Sequence, residues 1–272
     1  AYMGALYGVD LDPQAIELTR FNLAGAVDYA PSAIPLIAEN IRLGNALLSG
    51  WVPEAELAKA YASREYLDAV LNEQVAVEGL GCQAFNWEQE FSGVFTQHGG
   101  FDLIIGNPPW EKLEVIEREY FAGAVPELVT SRSREERATA LTQLKIERPH
   151  VYARYQEVQA HTDRVRRFVK DSGYYPLSAH GRLNTYRLFT ELSLKLIQPT
   201  GKVAIFVPTG ILTDYSTRHF VSEILSMGRL RSVLDFDNRS RFFAEVQGNV
   251  QFCLLYLSND RTDGFTVCTR LR

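Results

Sequence analysis

Short apolar runs alternating with segments of helical period restrict this chain to a layered α/β fold more tightly than any other feature of its sequence. The apolar run at residues 5–9 closes on Asp10. Asp12 is then placed to cap a helix that begins at Pro13 and carries Ile16, Thr19 and Leu23 at helical spacing. Leu103, Ile104 and Ile105 follow one another directly, as in a strand covered on both faces within a parallel sheet. Residues 185–197 repeat Leu188, Leu192 and Leu196 at helical period and are stopped by Pro199-Thr200-Gly201, after which residues 203–207 read as a strand. A helix over residues 215–227 capped by Gly228 and a strand over residues 230–236 complete the series. Such alternation predicts a doubly wound α/β sheet that binds ligands at the carboxyl ends of its strands. Two stretches, residues 54–78 and 111–170, are helical in pattern and read as insertions.

Composition narrows the class. At 272 residues, with 46% hydrophobic and 22% charged, the chain can bury a full core. Its longest apolar runs, residues 203–207 and 253–257, are far below the roughly 20 residues of a membrane helix, so no membrane partner is expected. No charged-then-apolar leader opens the sequence. Cys82, Cys253 and Cys268 form neither a disulfide framework nor a zinc pattern, which fits a reducing, cytoplasmic setting. His98, His150, His161, His180 and His219 lack metal-ligand spacing, so no metal is assigned, and Gly99-Gly100 reads as a turn. The net charge of −5 gives no global footprint for nucleic acid, so any such binding must use local patches.

The most informative residues are Asn107-Pro108-Pro109-Trp110, directly after the strand Phe101-Asp102-Leu103-Ile104-Ile105-Gly106. Each proline fixes its own φ, extends the residue before it and removes an N–H. A rigid loop results, presenting an amide side chain and a free carbonyl beside a large aromatic face. Those groups suit methylation of an aromatic amine. The lone pair of an adenine amino group is delocalised into the ring; Asn107 Oδ1 and the Pro108 carbonyl can each accept one amino hydrogen, localise that pair and stabilise the developing positive charge. No general base is required. Trp110 can stack on the base, worth ~1–3 kcal/mol, and a base inside a duplex must first be flipped out.

This segment resembles the catalytic motif of the adenine-N6 DNA methyltransferases of the gamma motif order, found in restriction-modification and in BREX- and DISARM-type phage defence. The resemblance implies a Rossmann-like class I S-adenosylmethionine-dependent methyltransferase sheet with helical insertions, S-adenosyl-L-methionine as cofactor, double-stranded DNA as substrate, and restriction or defence subunits as partners. Tyr7-Gly8-Val9-Asp10-Leu11-Asp12-Pro13 is similar to the family's second motif; by that match Asp10 binds the ribose hydroxyls and Leu11 packs on the cofactor's adenine. Ile41-Arg42-Leu43-Gly44-Asn45-Ala46-Leu47 resembles the third, in which Asn45, with Ala46 beside it, meets the adenine amino group; a plain turn is the other reading of Asn45. Gly181-Arg182-Leu183-Asn184-Thr185-Tyr186, residues 207–214 and Asp235-Phe236-Asp237-Asn238-Arg239 resemble later motifs. Phe243 then matches the aromatic that stacks on the flipped base opposite Trp110, with Ala244 where the family has proline. The resemblance also implies a first strand and a glycine-rich loop before Tyr2. Residues 1–8 contain no such loop, so residues 1–272 are expected to be one partial catalytic domain truncated at both ends.

Arg229, Arg231, Arg239 and Arg241 flank the last motif, and Arg239 is the expected phosphate contact. Arg164, Arg166, Arg167 and Lys170 form a second basic group, readable as a DNA contact or as an ordinary helix surface. Methylation of protein glutamine or of RNA, which also uses Asn-Pro-Pro-aromatic loops, and a non-catalytic module binding DNA or a partner are the competing readings.

Overall fold

The computed structural model describes residues 3–49, 85–123, 125–130, 133–240, 242–243 and 248–271. The expected helix at residues 54–78, Cys82, Arg241, Ala244 and the side chain of Arg164 lie outside the described residues. In chain order the elements are β1 (Gly8–Asp10), α1 (Pro13–Gly25), α2 (Ile34–Asn40), β2 (Ile41–Leu43), α3 (Trp87–Glu90), α4 (Ser92–His98), β3 (Phe101–Gly106), α5 (Glu117–Tyr120), α6 (Pro126–Thr130), α7 (Arg134–Glu147), α8 (Pro149–Asp171), α9 (Thr185–Leu196), β4 (Ile197–Pro208), α10 (Gly210–Thr213), α11 (Arg218–Ser226), β5 (Leu230–Asp237), β6 (Gln251–Ser258) and β7 (Thr266–Leu271). Short 3₁₀ turns cover Met3–Ala5, Tyr215–Thr217 and Asn238–Ser240.

The fold is α/β with a mixed sheet. β1 and β2 form a parallel pair, while the other five strands run in the order β3-β4-β6-β5-β7. β3 and β4 are parallel, and β6 lies antiparallel between β4 and β5. The α/β class expected from the alternation is thus present, with the described strands falling into a parallel pair and a five-stranded mixed sheet. β1 and β3 each keep one edge without a described strand partner. Leu103 and Ile105 are 54% and 72% exposed, so the expectation that both faces of β3 are covered does not hold. Other boundaries shift as well. Residues 5–7 precede β1 rather than belonging to it, and Tyr215–Thr217 is a separate 3₁₀ turn ahead of α11. β4 runs through Pro199-Thr200-Gly201, which its pairing with β3 accommodates as a register shift between Phe101 and Leu103. β2, β6 and β7 were not anticipated as strands.

Local chemistry explains the elements that were. The Asp12 side chain accepts a hydrogen bond from Gln14 N at 2.8 Å and Pro13 opens α1. Gly228, at φ 64°, follows α11 in the left-handed conformation. β4 alternates in burial: Val203, Ile205 and Val207 are buried beneath Phe220 and Ile224 of α11 together with Leu255 and Leu257 of β6. The helical insertion encloses a core of its own, Phe121, Val125, Leu128, Leu144 and Tyr155.

α9 is buried along most of its length. Its Leu188, Leu192 and Leu196 pack against Val165, Phe168 and Val169 of α8, and even Arg187 and Glu191 are fully buried. The Arg187 guanidinium donates to the carbonyls of Arg182 (3.2 Å) and Ser216 (3.1 Å). The Glu191 carboxylate accepts from the backbone N–H groups of Leu177 (3.1 Å) and Ser178 (2.7 Å). Burial pushes the Glu191 carboxyl above the usual carboxylate range despite those two donors. This polar pair fastens the segment before α9 to the helix.

Gly99, at φ 74°, ends α4, and Gly100, at φ 137°, turns the chain into β3. A Cβ on Gly100 would lie 2.6 Å from the Leu196 carbonyl oxygen, a backbone atom at the α9–β4 junction. Gly100→Ala is expected to destabilise the fold by about 1–3 kcal/mol, read as a lower urea midpoint; an unchanged midpoint contradicts this packing.

Candidate active site

Two parallel strands fix where the Asn107 loop begins, because Gly106 pairs with Ile205 at the carboxyl end of β3. Asn107 and Pro109 are exposed, Pro108 and Trp110 half-buried. The Pro109 carbonyl accepts from Thr185 Oγ1 at 2.6 Å. No described hydrogen bond uses the Asn107 side chain or the Pro108 carbonyl, so both acceptors expected to act on an amino group are unengaged among the described residues.

A cleft of about 430 Å³ runs between β1 and β3, lined by Asp10, Ala46, Leu103, Ile105, Asn107 and Pro108 among others. That volume lies in the range of small-molecule sites. Asp10 stands exposed at the carboxyl end of β1, with Oδ1 accepting from Asp12 N at 2.9 Å. Its carboxylate keeps acceptor capacity for hydroxyl groups. Leu11, 47% exposed, is outside the cleft lining. Asn45 is buried and forms a turn in which Oδ1 accepts from Leu47 N at 3.1 Å, while the Ala46 carbonyl accepts from Trp87 Nε1 at 3.1 Å. The structure thus brings Asp10, Ala46, Asn107, Pro108 and Pro109 to one cleft and leaves Leu11 and Asn45 off its lining. An exposed carboxylate at a strand end beside an apolar wall fits the ribose and base of a nucleoside.

Trp110 is half-buried against the main core. It packs over the ends of β4 and β6, its Nε1 donating to the Phe206 carbonyl at 3.3 Å. Phe243 meets it edge-on with ring centroids 5.7 Å apart and an interplanar angle of 79°. Phe252 lies 5.9 Å from Trp110 and stacks on Phe236 at 5.3 Å and 9°. The two aromatics expected to flank a base are therefore neighbours, but in a closed pose. A base between parallel rings needs two stacking contacts of about 3.5 Å each, and an edge-to-face pair offers no such slot. Arg239 is on the surface, with Nε 3.0 Å from Asp237 Oδ2.

Sequence reasoning assigned no role to two residues that hold this site. Asn238, fully buried, donates from Nδ2 to the Phe243 carbonyl and accepts at Oδ1 from Phe243 N, both at 3.1 Å. Thr185 holds the loop from the other side. Each lies inside a quoted motif, but the partner of each bond is set by tertiary structure. Asn238→Ala strands two backbone groups and is expected to cost roughly 1–3 kcal/mol, measured by denaturant unfolding; a loss too small to measure contradicts the role of this clamp.

Among the described residues, no group of three or more His, Cys, Asp or Glu is placed to hold a metal ion, and no helix is long and apolar enough to cross a membrane.

The family model of the Eco57I restriction-modification methylases matches residues 5–144 and 152–243. A search of curated proteins gives no significant match. Among solved structures, a DrdV–DNA complex aligns with 97% of this chain and 21% of its own at 11% identity and a TM-score of 0.47. The ATP-dependent Type ISP restriction-modification enzyme LlaBIII bound to DNA aligns with 98% of this chain and 18% of its own at 8% identity and a TM-score of 0.35. A nuclease-deletion mutant of the Type ISP enzyme LlaGI, in complex with a DNA substrate mimic, aligns with 97% of this chain and 24% of its own at 11% identity and a TM-score of 0.36. The chain thus spans less than a quarter of the length of each of these proteins. With the matched residues running from before β1 to Phe243, the chain belongs to the Eco57I restriction-modification methylase family.

Proposed function

We propose that this chain is the catalytic region of a cytoplasmic restriction-modification enzyme that methylates adenine N6 in double-stranded DNA, using S-adenosylmethionine. The observation that carries the reading is the pairing of unengaged acceptors at Asn107 and Pro108 with the Asp10 carboxylate in one cleft. When bound, S-adenosylmethionine supplies a methyl group on a positively charged sulfur. Asp10 would bind its ribose hydroxyls, and Ala46 and the apolar residues of β3 would line its site; the adenine contacts that the family resemblance assigns to Leu11 and Asn45 would lie beyond the present lining, and Asn45 Oδ1 would have to leave Leu47 N to make one.

The remaining chemistry belongs to the loop. Asn107 Oδ1 and the Pro108 carbonyl accept the two amino hydrogens of adenine, which turns the nitrogen lone pair out of conjugation. The same acceptors stabilise the positive charge that grows on nitrogen, and losing one such preorganised group costs about 10²–10³ in rate. The two prolines hold these acceptors at fixed φ, so little reorganisation accompanies the reaction. Trp110 and Phe243 part to receive the flipped base between them, and Arg239 leaves Asp237 to meet a backbone phosphate. Association with restriction subunits, and service in phage defence, follow from the same reading.

β1 and β3 each keep an edge with no described strand partner, and the glycine-rich loop that the family resemblance implies for the methionine part of the cofactor is expected to follow a strand at such an edge. In the complete protein, Asn107→Ala is expected to lower methyl transfer to duplex DNA by about 10²-fold or more while cofactor affinity is kept. Asp10→Ala is expected to weaken cofactor binding by about tenfold or more. Methyl label in RNA or peptide and none in DNA, or unchanged turnover in Asn107→Ala, would contradict the assignment.

A further inference from the structure

Thr185 opens α9, and its hydroxyl is turned away from its own helix. Its single hydroxyl hydrogen lies between two carbonyl oxygens of the catalytic loop, Pro109 at 2.6 Å and Glu111 at 3.0 Å. Thr185 N also donates to the Glu111 carbonyl at 3.0 Å, Leu113 N donates to the Leu183 carbonyl at 3.0 Å, and Lys112 bridges to Asn184 in antiparallel sense. The loop is thereby clamped at its far end against the start of α9. That helix is itself immobilised by its apolar packing and by the buried Arg187 and Glu191 contacts.

From these contacts we infer that Thr185 is a positioning residue for methyl transfer, an inference that rests on the methyltransferase reading above. Between Gly106, fixed by its pairing with Ile205, and the Pro109 carbonyl, fixed by Thr185, the two proline rings remove two φ rotations. What remains free is φ and ψ at Asn107 and ψ at the two prolines, and the hydroxyl restrains the last of these. The direction of the Pro108 carbonyl, and with it the geometry of one amino-hydrogen acceptor, follows from the clamp. Thr185 touches neither substrate nor cofactor. It acts through Pro109.

The test uses the complete protein with Thr185→Val, which removes the hydroxyl and keeps the shape, and Thr185→Ser, which keeps the hydroxyl. Thr185→Val is expected to lower kcat about 10- to 100-fold, the penalty of a reacting group displaced on the ångström scale. KM for DNA, S-adenosylmethionine affinity by calorimetry and the melting temperature should stay close to wild type, with kcat restored in Thr185→Ser. Wild-type kcat in Thr185→Val overturns the inference. An equal loss in both variants, or a loss that tracks a fall in melting temperature, overturns it as well. Hydrogen exchange over residues 107–114 supplies a readout independent of turnover. Faster exchange in Thr185→Val but not in Thr185→Ser supports the clamp, and identical exchange in all three proteins overturns it. Should the wild-type protein transfer no methyl to DNA while exchange responds in this way, the methyltransferase reading fails and the clamp stands.

Discussion

Everything at the candidate site depends on the parallel pairing of β3 with β4. That ladder brings Gly106 level with Ile205 and ends β3 where the chain must leave the sheet. Asn107 follows at once, and two prolines prevent the loop from folding back into regular structure. On the other side of β4, the antiparallel β6 carries Phe252 to the same end, level with Pro208. The sheet thus delivers a rigid polar loop and an aromatic floor to one place from segments far apart in sequence. α9 completes the arrangement, since its burial makes Thr185 a firm anchor for the loop.

The aromatic cluster has an energetic consequence. Trp110 in its present pose packs against the main core, donates to Phe206 and meets Phe243 edge-on, all of which stabilise a closed slot. On the proposed reading, a base entering between Trp110 and Phe243 would exchange these contacts for two stacked faces, each worth ~1–3 kcal/mol. Unstacking and unpairing in the duplex cost a few kcal/mol in addition. The opposing contributions are of similar size, so on that reading the closed pair would favour a base already out of its stack over one that is paired.

Much of this was legible in the sequence because it is local. Caps at Asp12 and Gly228, the helical repeat of Leu188, Leu192 and Leu196, and the strand before Asn107 each rest on neighbours in the chain. The exposure of Leu103 and Ile105 was not legible, because three successive apolar residues report the tendency to be buried and not which partner is at hand. β2 escaped notice because three residues, Ile41–Leu43, are too few to show a period. At the site, the residue types of Asn107, Pro108 and Asp10 carry their acceptor chemistry openly, and the structure brings the three to one cleft. Thr185 and Asn238 announce nothing by type. Their importance lies in bonds to Pro109 and Phe243 that exist only once the sheet is assembled.

On the proposed reading, the loop presents two acceptors to the amino group of adenine. Mass spectrometry of nucleosides from the DNA of a host expressing the complete protein tests it most directly, with a host lacking other methylases as background. The account predicts N6-methyladenine with the wild-type protein and its absence with Asn107→Ala. Methylated cytosine without N6-methyladenine, or equal N6-methyladenine in both strains, would contradict it.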